Sequence, residues 1–158
     1  MTLLTARSFC SLIETPQSSN EKEFLQIIQR LLLTLYTLGL DLPDIYVSAD
    51  VDFDTNLSDT EMKRILKFIG ARVPFSYYWV VLNPVDMQNL ADTGTGDLTD
   101  DLGDIYKDLK TTLIMFDKED SVAKENAVWQ FKFDYDSHWN QHAIEALQAI
   151  YHYLYENR

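Results

Sequence analysis

The sequence predicts a soluble, cytosolic, all-α protein: an antiparallel bundle of about five helices, with one central apolar helix and a long C-terminal helix. Three observations predict it. Chain breakers are scarce, with 5 glycines and 4 prolines in 158 residues, which favours long helices over a turn-rich β fold. Apolar residues recur at helical spacing in five separate stretches. Hydrophobic residues make up 46% of the chain and aromatics 13%, enough for a real core and too much for disorder. The length suits one domain over residues 1–158, large enough to fold without a disulfide or metal staple.

The elements follow in order. Leu3, Leu4, Ala6, Phe9, Cys10, Leu12 and Ile13 form one stripe, predicting a helix over residues 3–14 that ends at Pro16 and the polar run 17–19. Asn20-x-x-Glu23 is a capping-box pattern that opens a second helix, with Gly39 as its expected C-cap. Phe24, Leu25, Ile28, Leu31, Leu32 and Leu35 surround most of that helix, which makes it the central one. Residues 41–56 hold Pro43 and five aspartates and read as a loop, tacked down by Ile45, Tyr46, Val47 and Phe53.

Ser58-x-x-Glu61 starts a third helix that stops at Gly70. Tyr77-Tyr-Trp-Val-Val-Leu82 is rich in strand formers but has no evident partner, so an extended segment packed on helices is expected, and residues 87–96 read as a mobile loop. A fourth helix runs from Asp97 or Thr99 to Phe116 on a stripe of Leu102, Ile105, Tyr106, Leu109 and Leu113. The last spans residues 121–155, with a bend or break expected near residues 134–137, where helix formers thin out and Ser137 could cap. No internal repeat or low-complexity segment appears.

Composition narrows the function classes. The formal net charge of −12 opposes binding to nucleic-acid phosphates or anionic membranes, so neither is expected as a partner. An acidic surface that mimics nucleic acid toward a basic protein is a third, weaker class. One cysteine rules out an internal disulfide and suits a reducing compartment. Cys10 lies among Phe9, Leu12 and Ile13 and reads as a buried small hydrophobe. No export signal is visible, and the most apolar stretch, residues 24–40, carries too many polar residues to span a bilayer.

Two polar stripes carry the strongest chemical signal. Asp97, Asp101, Asp104 and Asp108 recur at spacings of four, three and four, so they share one face of the fourth helix. His138, His142, Glu145 and His152 do the same on the last helix. The His138-x-x-x-His142 spacing is the one helical metal sites use. Facing helices would turn Asp104, Asp108, His138 and His142 into a mixed carboxylate–imidazole site for Zn²⁺, Mn²⁺ or Fe²⁺, with Glu145 as a supporting base. The plain alternative is that these are boundary residues joined by structural Asp–His hydrogen bonds, with acids favoured near a helix N-terminus.

Weaker patterns accompany it. Residues 50–61 place Asp50, Asp52 and Asp54 at the first, third and fifth places of a calcium loop, with Ser58 ninth and Glu61 twelfth. Thr55 stands where the loop wants glycine, and the capping box already explains Ser58 and Glu61. Gly94-Thr-Gly96 lacks a following Gly-Lys-Ser and is no phosphate cradle. No nucleophile elbow is present. The tyrosines at 151, 153 and 155 and the run at 77–82 are interface material where exposed.

Leu102-Gly-Asp-Ile-Tyr-Lys-Asp-Leu-Lys110, His138-Trp-Asn-Gln-His142 and Ala146-Leu-Gln-Ala-Ile150 resemble segments of a known family. The chain resembles the small bacterial helical proteins of domain-of-unknown-function family 5063, over nearly its whole length. The resemblance extends to an N-terminal helix with a central cysteine and a leucine-rich second helix. It departs at Asn140, where that family suggests glycine, and in a longer aromatic run before Asn83-Pro84. The resemblance implies a bacterial all-helical protein and no activity. With no complete catalytic set, the sequence favours an uncharacterised protein acting through a protein partner or self-association. The alternative is a metal-binding protein or metal-dependent hydrolase built on Asp104, Asp108, His138 and His142.

Overall fold

The computed structural model describes residues 2–15, 20–49, 51, 53–89 and 92–156. Its helices are α1 (Thr2–Glu14), α2 (Glu21–Asp41), α3 (Asp59–Gly70), α4 (Leu98–Phe116), α5 (Ser121–Asp134) and α6 (Asn140–Tyr155). A π-helical turn, Tyr135–Trp139, joins α5 to α6, so the two make one long C-terminal rod. Strands β1 (Tyr77–Val81) and β2 (Thr93–Asp97) precede α4.

Local chemistry sets most helix starts. The Asn20 side chain accepts from the Glu23 amide (2.8 Å), and Ser58 and Glu61 close a reciprocal capping box. Asp97 and Asp120 cap α4 and α5 by accepting from the amides of Thr99 and Val122. Burial of the apolar stripes then assembles the bundle. Phe24, Leu25, Ile28, Leu32 and Leu35 of α2 are fully buried, as the central apolar helix requires. Helix α4 packs against α1, α3, α5 and α6, so its exposed edge is confined to one narrow face. Cys10 is buried, and that burial pushes its thiol up to about 12, which leaves it an inert core residue.

Arg72 closes the end of α1. Its guanidinium donates to the carbonyls of Leu12 (2.7 Å), Ile13 (2.6 Å) and Thr15 (3.3 Å) and lies over the Phe24 ring at 4.5 Å. A cation on carbonyls that lack helical partners does the work of a C-cap. The expected stop at Pro16 and residues 17–19 lies outside the described residues.

Three expectations need correction. The fold is mostly helical, as expected, but the aromatic segment is not an unpaired extended stretch and forms one small two-stranded sheet. The Tyr77–Val81 segment pairs antiparallel with Thr93–Asp97, in register Tyr78 with Gly96 and Val80 with Gly94. The part of the expected loop that falls at 93–96 is therefore strand. Next, Gly39 is no C-cap. It lies inside α2, which runs on to Asp41, and a Cβ there would meet the Tyr135 ring at 2.3 Å. The glycine is there so that a helix and an aromatic ring can approach closely. Finally, Ser137 caps no helix start; its hydroxyl donates from the π turn back to the Phe133 carbonyl of α5 (2.6 Å).

The 42–58 loop is tacked to α5 partly as expected. Phe53 packs on Met115, Ala123 and Ala127, while Asn126 donates to the Ala49 carbonyl (2.9 Å). Tyr46, by contrast, is exposed. No helix among the described residues is long and apolar enough to cross a membrane.

Candidate metal centre

Helix α4 presents its aspartates to the rod made by α5, the π turn and α6. Leu102, Ile105, Tyr106 and Leu109 anchor α4 in the core, so Asp101, Asp104 and Asp108 fall along one flank. Ala143, Ala146 and Ile150 anchor α6 in the same way and leave His138 and His142 on the facing flank. As the number rises on α4 it falls on the rod: Asp108 meets His138, and Asp101 meets His142.

Each histidine has a carboxylate on its Nδ1. His138 Nδ1 donates to Asp108 Oδ2 (2.7 Å), and His142 Nδ1 donates to Asp101 Oδ1 (2.8 Å). A carboxylate only accepts, so these bonds place a proton on Nδ1, and in the neutral ring Nε2 keeps a free lone pair. The third aspartate, Asp104, lies 3.7 Å from Nε2 of His142. Asp104, His138 and His142 each offer one ligand atom, all within 4.8 Å of one another, and the two imidazoles stand edge to face at 4.8 Å.

Burial separates the roles. The side chains of Asp101 and Asp108 are 6% and 15% exposed, against 45% for His138. Asp101 is further held by Tyr78, whose hydroxyl donates to its Oδ2. Burial and the Asp101 carboxylate both push the Tyr78 phenol above its ordinary range, so it remains a donor. The hydrogen bond to Asp101 raises His142 above the usual imidazole value. Burial raises Asp108 above the usual carboxylate range.

A groove of about 570 Å³ opens beside this cluster, lined in part by Asn56, Asp59, Asp104, Lys107, Asp108 and Asp134. Asp134, held by Gln130 Nε2 at 2.7 Å, is pushed up to about 6 by burial, with the Asp108 charge adding to it.

Of the residues singled out in the sequence, Asp104, His138 and His142 converge, and Asp108 joins them through His138. The others go elsewhere. Asp97 caps α4, His152 bonds Glu156 (2.6 Å), and Glu145 accepts from Gln141 on its own helix (2.9 Å). The aspartate that bonds His142 is Asp101, a member of the stripe outside the set Asp104, Asp108, His138 and His142. An antiparallel register between α4 and α6 was the available signal for that pairing. Tyr78 and Asp134 carried none, because their positions depend on the hairpin and the π turn. Of the calcium-loop candidates, Asp50 and Asp52 lie outside the described residues, and Glu61 is engaged with Ser58.

The chain is therefore a mostly helical protein with a histidine–aspartate cluster between its fourth helix and its C-terminal rod. It belongs to the family described as domain of unknown function DUF5063, whose profile matches residues 2–156. No curated protein matches it. The crystal structure of protein BF1032 from Bacteroides fragilis is similar in fold, with a TM-score of 0.83 at 16% identity, over 99% of this chain and 92% of that one.

Proposed function

We propose that this protein binds one divalent transition-metal ion through Asp104, His138 and His142, and presents it to the groove beside Asp108 and Asp134. The observation that carries the reading is the third carboxylate. Structural Asp–His bonds account for Asp101 and Asp108, but they do not require Asp104 within reach of both imidazoles. Asp101 and Asp108 act as the buried carboxylates that orient metal-binding histidines and raise their basicity. Ligand atoms on an ion at about 2.0–2.2 Å stand roughly 3–3.5 Å apart, so small side-chain rotations close the present spacing.

Two imidazoles and a carboxylate suit Zn²⁺, Fe²⁺ or Mn²⁺ and leave coordination positions free. Such an ion would acidify a bound water into a nucleophile, so the reaction class we propose is metal-dependent hydrolysis. The single cysteine supports a reducing, cytosolic setting. A second reading, association with another copy of the chain, has exposed Tyr77, Val81 and Leu82 on the hairpin in its favour.

The test is a chelator-competition titration of Zn²⁺ and Mn²⁺ into stripped wild type and Asp104→Ala. This substitution leaves both Nδ1–carboxylate bonds in place. Affinity lower by about tenfold or more is expected in Asp104→Ala. Equal affinity in the two proteins would discard the ligand set.

A further inference from the structure

The small sheet leaves its aromatic edge open. At its two ends the Leu98 amide donates to the Ser76 carbonyl (2.8 Å) and the Leu82 amide to the Asp92 carbonyl (3.1 Å). Bonded and non-bonded pairs alternate along an antiparallel ladder, so between those ends Tyr78 and Val80 turn their backbone groups toward Gly96 and Gly94 of β2. The N–H and C=O groups of Tyr77, Trp79 and Val81 therefore point away from β2, along the outer edge of β1. Among the described residues no further backbone bond reaches them. The same three residues carry their side chains on the solvent face: Tyr77 is 73% exposed, Trp79 79% and Val81 50%. A cleft of about 440 Å³ lies between this strand and the end of α6. It touches both Tyr78 and Trp79, which sit on opposite faces of β1, and no described residue of β2, so it runs along the outer edge.

We propose that β1 pairs antiparallel with β1 of a second copy of this chain, so that two hairpins form one four-stranded sheet. The proposal deepens the association reading and rests on it. Soluble proteins blunt open edge strands with charge, proline or a bulge. β1 has none of these: no charged residue occurs between Arg72 and Asp86, no proline lies in the strand, and its register with β2 is unbroken. With a net charge of −12, two copies repel one another over most of their surface, and this uncharged run is where they can meet.

The edge is also self-complementary. About a two-fold axis at Trp79, that residue faces its own counterpart and Tyr77 faces Val81, each pair exchanging N–H···O=C bonds. Aromatic and β-branched side chains set opposite one another in this way are favourable cross-strand pairs. The outer edge of β2 is the poorer candidate, because that strand ends on Asp97 and runs directly into α4. Main-chain bonds then supply the contact, and the exposed Tyr77, Trp79 and Val81 supply its apolar area. A contact of this size belongs to the small, weak class of interfaces, with dissociation constants on the order of micromolar.

The experiment is backbone hydrogen exchange by NMR on the full chain, from about 10 μM to about 1 mM protein, with sedimentation equilibrium at each concentration. A dimer that grows with concentration is expected. The Tyr77, Trp79 and Val81 amides should gain about tenfold in protection with it, while those of Tyr78 and Val80 are protected at the lowest concentration. Trp79→Pro deletes one outward N–H and spares the ladder to β2, and should weaken the dimer by about tenfold or more. A dimer in which the Tyr77, Trp79 and Val81 amides gain no protection, or one undiminished in Trp79→Pro, would overturn the strand pairing and leave association through another face. A monomer at every concentration would overturn both.

Discussion

At Asp101 two hydrogen bonds meet, one from the Tyr78 hydroxyl and one from His142 Nδ1. Together they use both carboxylate oxygens and fix the imidazole plane. Tyr78→Phe removes one of them and leaves the ring packing in place. Metal affinity is expected to fall about tenfold, with the helical circular dichroism spectrum unchanged. An unchanged affinity would mean that His142 alone orients Asp101. Asp134 makes a different prediction. Its folded-state carboxyl is raised from its ordinary value to about 6 by burial and by Asp108. A group raised on folding stabilises below its unfolded pKa and loses that contribution as pH climbs through the folded one. In chelator-treated protein, stability should therefore decline from about pH 4 to about pH 6 through this group. Asp134→Asn keeps the Gln130 bond and removes the charge. It should flatten that decline and stabilise the metal-free protein at neutral pH by about 1–2 kcal/mol, a figure reduced for partial exposure. Urea unfolding at several pH values measures it.

The elements show why some boundaries are readable and others are not. The Asn20 cap and the Ser58 capping box are each written within four residues, so both helix starts follow from local sequence. The weak helix formers around residues 134–137 likewise announce an interruption, and the structure resolves it as a π turn, a feature frequent at functional sites. The β2 strand was hidden because Thr93-Gly-Thr-Gly-Asp97 has no apolar alternation. The Tyr78 side chain lies over Gly96 so closely that a Cβ there would meet the ring at 2.3 Å. Only the pairing with β1 makes it a strand, and pairing is not a local property. Gly39 misled for the same reason, since its role is set by a ring nearly a hundred residues away. Gly39→Ala tests this. An unconstrained helical site would gain about 1 kcal/mol from alanine. Here the methyl meets Tyr135, and overpacking should leave the variant less stable by about 1–2 kcal/mol in thermal or urea unfolding. A gain in stability would show that the Tyr135 ring moves aside freely.

For the whole molecule, the candidate site was legible as two stripes, and helical periodicity supplied both. Periodicity could not say which members face each other, because that depends on how α4 and the C-terminal rod pack. Packing brings Asp104, His138 and His142 together, gives Asp101 and Asp108 to the histidines, and sends Asp97, Glu145 and His152 elsewhere. The charge of −12 favours cations generally, so it cannot by itself distinguish a built metal site from an acidic surface. Metal content can. Protein purified without chelator or affinity tag should carry close to one transition-metal ion per chain by mass spectrometry. A His138→Ala/His142→Ala double variant that keeps its helical spectrum should carry almost none. No metal in either protein, with the double variant merely less stable, would make the cluster a structural Asp–His network and contradict the account.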